Sequence, residues 1–285
     1  MERKEKNAKI FQETQERYTT DQILKRSISQ SILGQLFISE ETTIDIPKSN
    51  NAKNAKIIVS KKRSLEAAEK YAKEGKKVCV LNFASAKTPG GGVVNGASAQ
   101  EECICRCSTL YPCLNTEMMW NLFYQPHRDK SNALHNNDCI YTPDICVFKS
   151  DIDFPELLSE QSWWSVNIIT CAAPKFRERH EDFVLFGDKH YPEKLMLSDL
   201  ELLLAERIRR IFEVAASNGN DVLVLGAFGC GAFKNPPEIV AKVFNTVMQE
   251  YICCFDEIEF AVFHTENEVE NYNAFCKEIC TYQDY

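Results

Sequence analysis

Three glycines after a proline, Pro89-Gly90-Gly91-Gly92, are followed by Gly96 and then by Gln100-Glu101-Glu102. The glycines leave the backbone free to take positive φ and to come into contact with a ligand. An amide and two carboxylates just beyond such a loop suit acid-catalysed chemistry. Adjacent positions of a helix point about 100° apart, so one acid faces a reacting centre while the other holds a different part of the ligand. A general acid must carry its proton near neutral pH, and a helix N-terminus opposes that by stabilising the carboxylate. The site therefore needs burial, or a nearby phosphate charge, to raise the pKa again. Acids also occur in the first turn of ordinary helices, so the pair gains meaning only from its surroundings.

A second loop supplies them. Gly226-Ala227-Phe228-Gly229-Cys230-Gly231 joins an apolar run, 221–226, to a helix opened by Pro236-Pro237. Ligands of open α/β sheets bind where strand ends meet such loops, and the helix start adds unpaired N–H groups and a favourable dipole end for a phosphate. Neither loop has the spacing of a P-loop nucleotidase or a Rossmann dehydrogenase. Of the flanking aromatics, Phe228 and Phe233, one standing in the crevice would stack on a base or wall a ribose. Cys230 has no paired base in sight and reads as a small residue in a tight loop. Cys103, Cys105, Cys107 and Cys113 lack the usual zinc spacing and any histidine close in sequence, so they read as packed thiols. His127, His135, His180, His190 and His264 show no ligand-like spacing and read as loop or surface residues.

The elements that must position these residues alternate. Apolar runs at 57–59, 78–83, 165–171, 221–226 and 258–264 predict buried strands, with shorter ones at 139–141 and 145–148 about a turn. Helical periodicity covers 65–75, 98–108, 197–217, 236–250 and 267–279, with Gly75 after the first of these as a cap. Residues 116–137 are irregular, and 175–191 read as a charged surface loop. Two amphipathic segments, 8–18 and 21–36, the latter capped by Asp21, predict an N-terminal helical appendage over residues 1–56, with the α/β domain over 57–285. At 285 residues the chain buries a sizeable core. Its net charge of −8 argues against a nonspecific nucleic-acid binder, no apolar run spans a membrane, and direct sequence-specific nucleic-acid binding is not expected. The start lacks the apolar stretch of a secretory signal, so the thirteen cysteines read as reduced thiols of a cytoplasmic protein.

Leu81-Asn82-Phe83-Ala84, then Pro89-Gly90-Gly91-Gly92, a seven-residue spacer and Gln100-Glu101-Glu102 resemble the signature of the poly(ADP-ribose) glycohydrolases. Ser108-Thr109-Leu110-Tyr111-Pro112 and Leu225 to Pro237 are similar to the microbial-type branch, and the resemblance runs from about residue 57 to 265. It implies a macrodomain-like three-layer fold, a mixed and largely parallel sheet between helices. It also implies hydrolysis of ribose–ribose O-glycosidic bonds, mainly from chain ends, releasing ADP-ribose. By position, Glu102 would be the catalytic acid and Glu101 would hold ribose hydroxyls. Gly90, Gly91 and Gly92 would lie against the distal ribose and diphosphate, and Gly229, Cys230, Gly231 and Ala232 would form the diphosphate loop. Phe233, rather than Phe228, would orient the distal ribose. Asn82, Ala84, Gln100, Gly226 and Phe228 complete the implied substrate-binding set. The scheme calls for no metal or other cofactor. Its partner would be ADP-ribose polymer or an ADP-ribosylated protein. The rival readings are a non-catalytic ADP-ribose reader and a hydrolase of mono-ADP-ribosylated acceptors.

Overall fold

The computed structural model describes residues 2–46, 53–130, 132–180, 183–186, 193–266 and 268–280, with backbone alone for 177–180, 183–186, 193 and 280. The chain opens with α1 (Arg3–Thr20), α2 (Gln22–Leu33), β1 (Leu36–Ile38), β2 (Lys56–Ser60), α3 (Ser64–Lys73), β3 (Val78–Phe83), α4 (Gln100–Cys107) and α5 (Leu110–Leu114). There follow α6 (Glu117–Met119), a π turn over Trp120–Tyr124, α7 (Gln125–Lys130), β4 (Cys139–Val147), β5 (Trp164–Cys171), β6 (Phe176–His180), β7 (Phe183–Phe186) and β8 (Glu193–Leu195). The last elements are α8 (Leu197–Ser217), β9 (Val222–Leu225), α9 (Pro237–Met248), β10 (Glu257–Ala261) and α10 (Glu270–Cys280).

Seven strands form one sheet in the order β1-β4-β5-β3-β9-β10-β2. The five strands from β5 to β2 run parallel, while β4 is reversed and pairs antiparallel with both β5 and β1. The central strand β3 is buried on both faces, which is why it reads as an unbroken apolar run. Leu200, Leu204, Ile208, Ile211, Phe212 and Ala215 fall at helical spacing along α8 and are fully buried against one face, together with α9 and α10. Leu65, Ala68 and Tyr71 of α3 bury against the other, with Phe11, Ile104, Cys105 and Cys107. The result is the three-layer arrangement, helices on both sides of a mostly parallel sheet.

Asp21 caps α2 as its position predicts, accepting from the N–H groups of Ile23 (2.9 Å) and Leu24 (3.2 Å), and Gly75 takes φ 81° just past α3. Other details differ from the sequence reading. The helix expected to reach residue 36 stops at Leu33, and Leu36–Ile38 joins the sheet edge beside β4. The two short strands around 139–148 are one strand, with a register shift between Thr142 and Ile145 where Asp144 adopts φ 53°. The segment expected to be irregular from residue 116 holds helical turns through Lys130, and it buries Met119, Phe123 and Tyr124 together with His127. Within the expected charged loop β6 and β7 form, and with β8 just after it they make a separate three-stranded sheet; residues 181–182 and 187–192 lie outside the described ones.

The N-terminal helix is tied to the segment that carries the acids. Asn7 Nδ2 donates to the Gly96 carbonyl (3.2 Å), Thr14 Oγ1 to the Arg106 carbonyl (2.9 Å), and the Phe11 ring meets Tyr111 edge-on at 5.0 Å. Gly96 adopts φ 75°, and a Cβ there would strike the backbone carbonyl of Lys4. Gly96→Ala therefore meets both a strained φ and a backbone collision. It is expected to lower unfolding free energy by about 2 kcal/mol or more in urea titrations, whereas Gly219→Ala, also at positive φ but with open space around it, tests the φ contribution alone.

Candidate active site

β3 and β9 are parallel neighbours, Val78 to Val80 opposite Val222 to Val224. The loops that leave their carboxyl ends emerge side by side, and these are the two glycine loops. Beside the second loop and the start of α4 opens a crevice of about 340 Å³ whose walls include Arg63, Phe83, Gln100, Gly229, Phe228 and Phe233, while Gly90 to Gly92, Glu101 and Glu102 lie behind this wall rather than in it.

Gln100 begins α4 and fastens it to β3. Its Oε1 accepts from the Phe83 N–H (2.9 Å), and its Nε2 donates to the Leu81 carbonyl (2.7 Å) and to Ser64 Oγ (3.0 Å). With α4 fixed, Glu101 and Glu102 turn towards the first glycine loop and are 3% and 7% exposed. Glu101 Oε2 accepts from the Ser85 N–H (2.8 Å) and its Oε1 from Asn82 Nδ2 (3.3 Å), while Asn82 also donates to Thr170 Oγ1 (3.2 Å). Glu102 Oε1 accepts from the Gly92 N–H (2.8 Å), and its Oε2 is buried with no partner. A Cβ on Gly91 would lie 2.5 Å from Glu102 Oε1 and 3.0 Å from Glu101 Oε2. Glycine at this point lets the backbone come up against both acids at once.

Burial pushes the Glu101 carboxyl up to about 8; the Ser85 N–H opposes the rise and the Glu102 charge adds to it. At neutral pH Glu101 therefore retains its proton. For Glu101, burial outweighs the pull of the helix N-terminus towards the ionised form.

The second loop is built differently. The Gly226 backbone lies against β10, where a Cβ would come 2.7 Å from the Ala261 carbonyl. Gly229 adopts φ 75° with Asn235 and Ala173 packed where a side chain would stand, and Asn235 Nδ2 pins the loop to the Pro174 carbonyl (3.0 Å). Among the described residues, the N–H groups of Gly229, Gly231, Ala232 and Phe233 have no acceptor. They sit ahead of α9, whose N-terminus adds its dipole, so the loop is a ready anion cradle. The N–H groups of Gly91 and Gly92 are by contrast taken by Thr88 and Glu102. The first loop holds acids and the second is open to a ligand.

The remaining sequence candidates fall into place around this division. Ala84 is buried and its N–H donates to the Cys171 carbonyl (3.1 Å). Phe228 is fully buried, tilted against Phe83 at 5.9 Å, whereas Phe233 is only partly buried and flanks the free N–H groups. Burial pushes the Cys230 thiol up, away from nucleophile chemistry. Cys105, Cys107 and Cys113 lie in the core. His127, expected at the surface, is instead 5% exposed, because α7 turns it inward; His180 and His190 lie outside the described side chains. Sequence reading missed Ser85, Ser64 and Asn235. The first two act through a backbone N–H or a lone hydroxyl and leave no pattern; an Asn just before Pro236-Pro237 was the available signal for the third.

Glu101, with its pKa raised, binds a proton in the fold that it has lost when unfolded. Its stabilising contribution is complete below pH 4.5 and disappears as pH rises through about 8. Denaturant titrations across that window should show a component falling by up to about 1.4 kcal/mol per pH unit, absent in Glu101→Gln. Gly91→Ala should displace both acids and reduce kcat by about a hundredfold, read from turnover at unchanged secondary structure.

The sequence profile described as microbial-type PARG, catalytic domain, matches residues 5–150. That match takes in the N-terminal helices, upstream of the stretch in which the resemblance was legible. Among solved structures, poly(ADP-ribose) glycohydrolase from Thermomonospora curvata is 27% identical, with a TM-score of 0.82 over 96% of this chain and 99% of the other. The same enzyme bound to the inhibitor ADP-HPD matches at 27% identity and a TM-score of 0.79 over the same shares. Poly(ADP-ribose) glycohydrolase from Deinococcus radiodurans in complex with ADP-ribose is 29% identical, with a TM-score of 0.73 over 89% of this chain and 97% of that one. No curated protein matches the chain.

Proposed function

Because the chain belongs to the microbial-type poly(ADP-ribose) glycohydrolase family, and is a glycosidase that hydrolyses ADP-ribose polymer, we propose that it works mainly from chain ends with Glu102 as its catalytic acid. The observation that carries this reading is the unpartnered Oε2 of Glu102. Both oxygens of Glu101 are engaged, while Glu102 keeps one for the substrate.

Glu102 protonates the oxygen that leaves the scissile ribose–ribose bond. The C–O bond breaks with its electron pair on that oxygen, and the sugar becomes an oxocarbenium-like ion. Glu102, now a carboxylate, takes a proton from the water that attacks the sugar carbon. Atoms and charge balance at one water consumed for each bond cleaved. Most glycosidases divide this work between two separated carboxylates; here one residue performs both steps, while Glu101 holds ribose hydroxyls beside the bond. The free N–H groups at Gly229, Gly231, Ala232 and Phe233 receive the diphosphate, and its charge stabilises the cationic sugar. Phe233 orients the distal ribose, and Gly90 to Gly92 face it across the acids.

Residues 1–56, taken as an N-terminal helical unit beside a catalytic domain over 57–285, back the first glycine loop through Asn7 and Gly96. A buried acid with a free oxygen has no use in a pure reader, which disfavours that rival. The partner is the polymer or a protein that carries it. A cytoplasmic location accords with the free thiols of every cysteine whose side chain is described, and cell fractionation checks it.

Glu102→Gln keeps the size and loses the transferable proton. It should bind ADP-ribose within a few-fold of the parent while losing at least about a thousandfold in kcat, the scale of removing a general acid. Retained turnover of labelled polymer would remove Glu102 from its role, and a product analysis that yields oligomers before ADP-ribose would overturn end-acting cleavage. The same assay on mono-modified protein separates the two acceptor classes.

A further inference from the structure

His135 stands outside every role described so far. It has φ 58°, a left-handed backbone rare for residues other than glycine, though histidine tolerates it better than most. Such a conformation persists where its surroundings over-determine it, and here they do. The carbonyl of Ala133 accepts from the Lys175 N–H (2.8 Å) and that of Leu134 from Arg207 Nη1 (3.0 Å). Asn136 Nδ2 donates to Asp138 Oδ2 (2.6 Å), and Arg207 Nε donates to Asn137 Oδ1 (3.0 Å). Asp138 Oδ1 in turn accepts from the Glu40 N–H (2.8 Å). The segment on either side of His135 is thus fixed at successive residues.

The imidazole so presented has two ring neighbours. On one side is the buried His127, at 5.8 Å, itself held by the Phe123 carbonyl (2.7 Å) and Asn136 Oδ1 (2.8 Å). On the other is Phe233, at 6.0 Å and 46°. His135 is the aromatic contact of Phe233 among the described residues, and Phe233 otherwise packs, partly buried, against the core cluster that includes α8 and α9. Burial, then the charges of Arg207, His127, Lys87 and Lys175, keep the His135 ring neutral down to about 3, so it meets Phe233 as an uncharged aromatic surface.

We propose that His135 is a positioning residue for the glycosidase reaction, a rigid buttress that holds the Phe233 ring in the orientation the distal ribose requires. This rests on the reading of Phe233 as the ribose-orienting aromatic. The contact is worth little as binding area, because Phe233 keeps its place in the loop without it. Its value lies in the angle of one ring, which affects turnover more than ground-state affinity.

The test uses the full chain and labelled ADP-ribose polymer. His135→Gly removes the ring and is compatible with the backbone φ, so it relieves strain rather than adding it. It should lower kcat about tenfold or more and leave the Kd for ADP-ribose within about threefold. His135→Phe, which restores an aromatic ring, should recover most of the lost kcat. In a Phe233→Ala background His135→Gly should have no further effect. An unchanged kcat in His135→Gly overturns the proposal, and so does a loss that adds in full to that of Phe233→Ala. If Phe233→Ala alone leaves kcat unchanged, the role of Phe233 falls and the buttress with it; an impaired Phe233→Ala with an additive His135→Gly removes the buttress only.

Discussion

The contact on which the site depends is a backbone amide donating to a buried carboxylate, the Gly92 N–H to Glu102 Oε1. Two acids removed from water would be costly without donors, and flexible side chains would hold them loosely. Here the donors are main-chain N–H groups and one buried amide, which cannot move without moving β3 or the glycine loop. Gly91 contributes by having no side chain, because any Cβ would occupy the space the two carboxylates share. The cost of burial is thus balanced against fixed hydrogen bonds, and what remains is a retained proton and one unpartnered oxygen.

That arrangement explains why two glycine loops are needed and why they differ. The first has its N–H groups directed inward, at its own turn and at the acids. The second has them directed outward, with its own shape fixed by Asn235 and by packing on Ala173. Parallel pairing of β3 with β9 makes the loops neighbours although more than a hundred residues separate them in the chain. Acid and anion cradle are therefore set apart by the geometry of a sheet rather than by a flexible linker.

Much of this was legible in the sequence. The run Val78 to Phe83 announced a strand covered on both faces, and the glycine spacing before Gln100-Glu101-Glu102 pointed to the loop that meets both acids. The legible features share a property: each is local, a composition or a spacing within a few residues. The misread features are settled by distant partners. Leu36 to Ile38 becomes a strand because β4 offers an edge, and three residues carry too little pattern to show it. His127 is buried with its two ring nitrogens facing the Phe123 carbonyl and Asn136 Oδ1, which no spacing reveals. Gln100 belonged to the signature, yet its clamp on Leu81, Phe83 and Ser64 needed three-dimensional coordinates.

The close approach of α1 to Gly96 bears on how the enzyme comes into being. Asn7 meets the Gly96 carbonyl across 89 positions of the chain, so α1 is synthesised well before the surface that receives it. An isolated helix of 18 residues is marginal in water, and such nonlocal contacts form late in folding. Until then Glu101 and Glu102 belong to an open segment, without the burial that keeps the Glu101 carboxyl protonated. The burial of the two acids is in this sense completed by the return of the chain's beginning onto its middle.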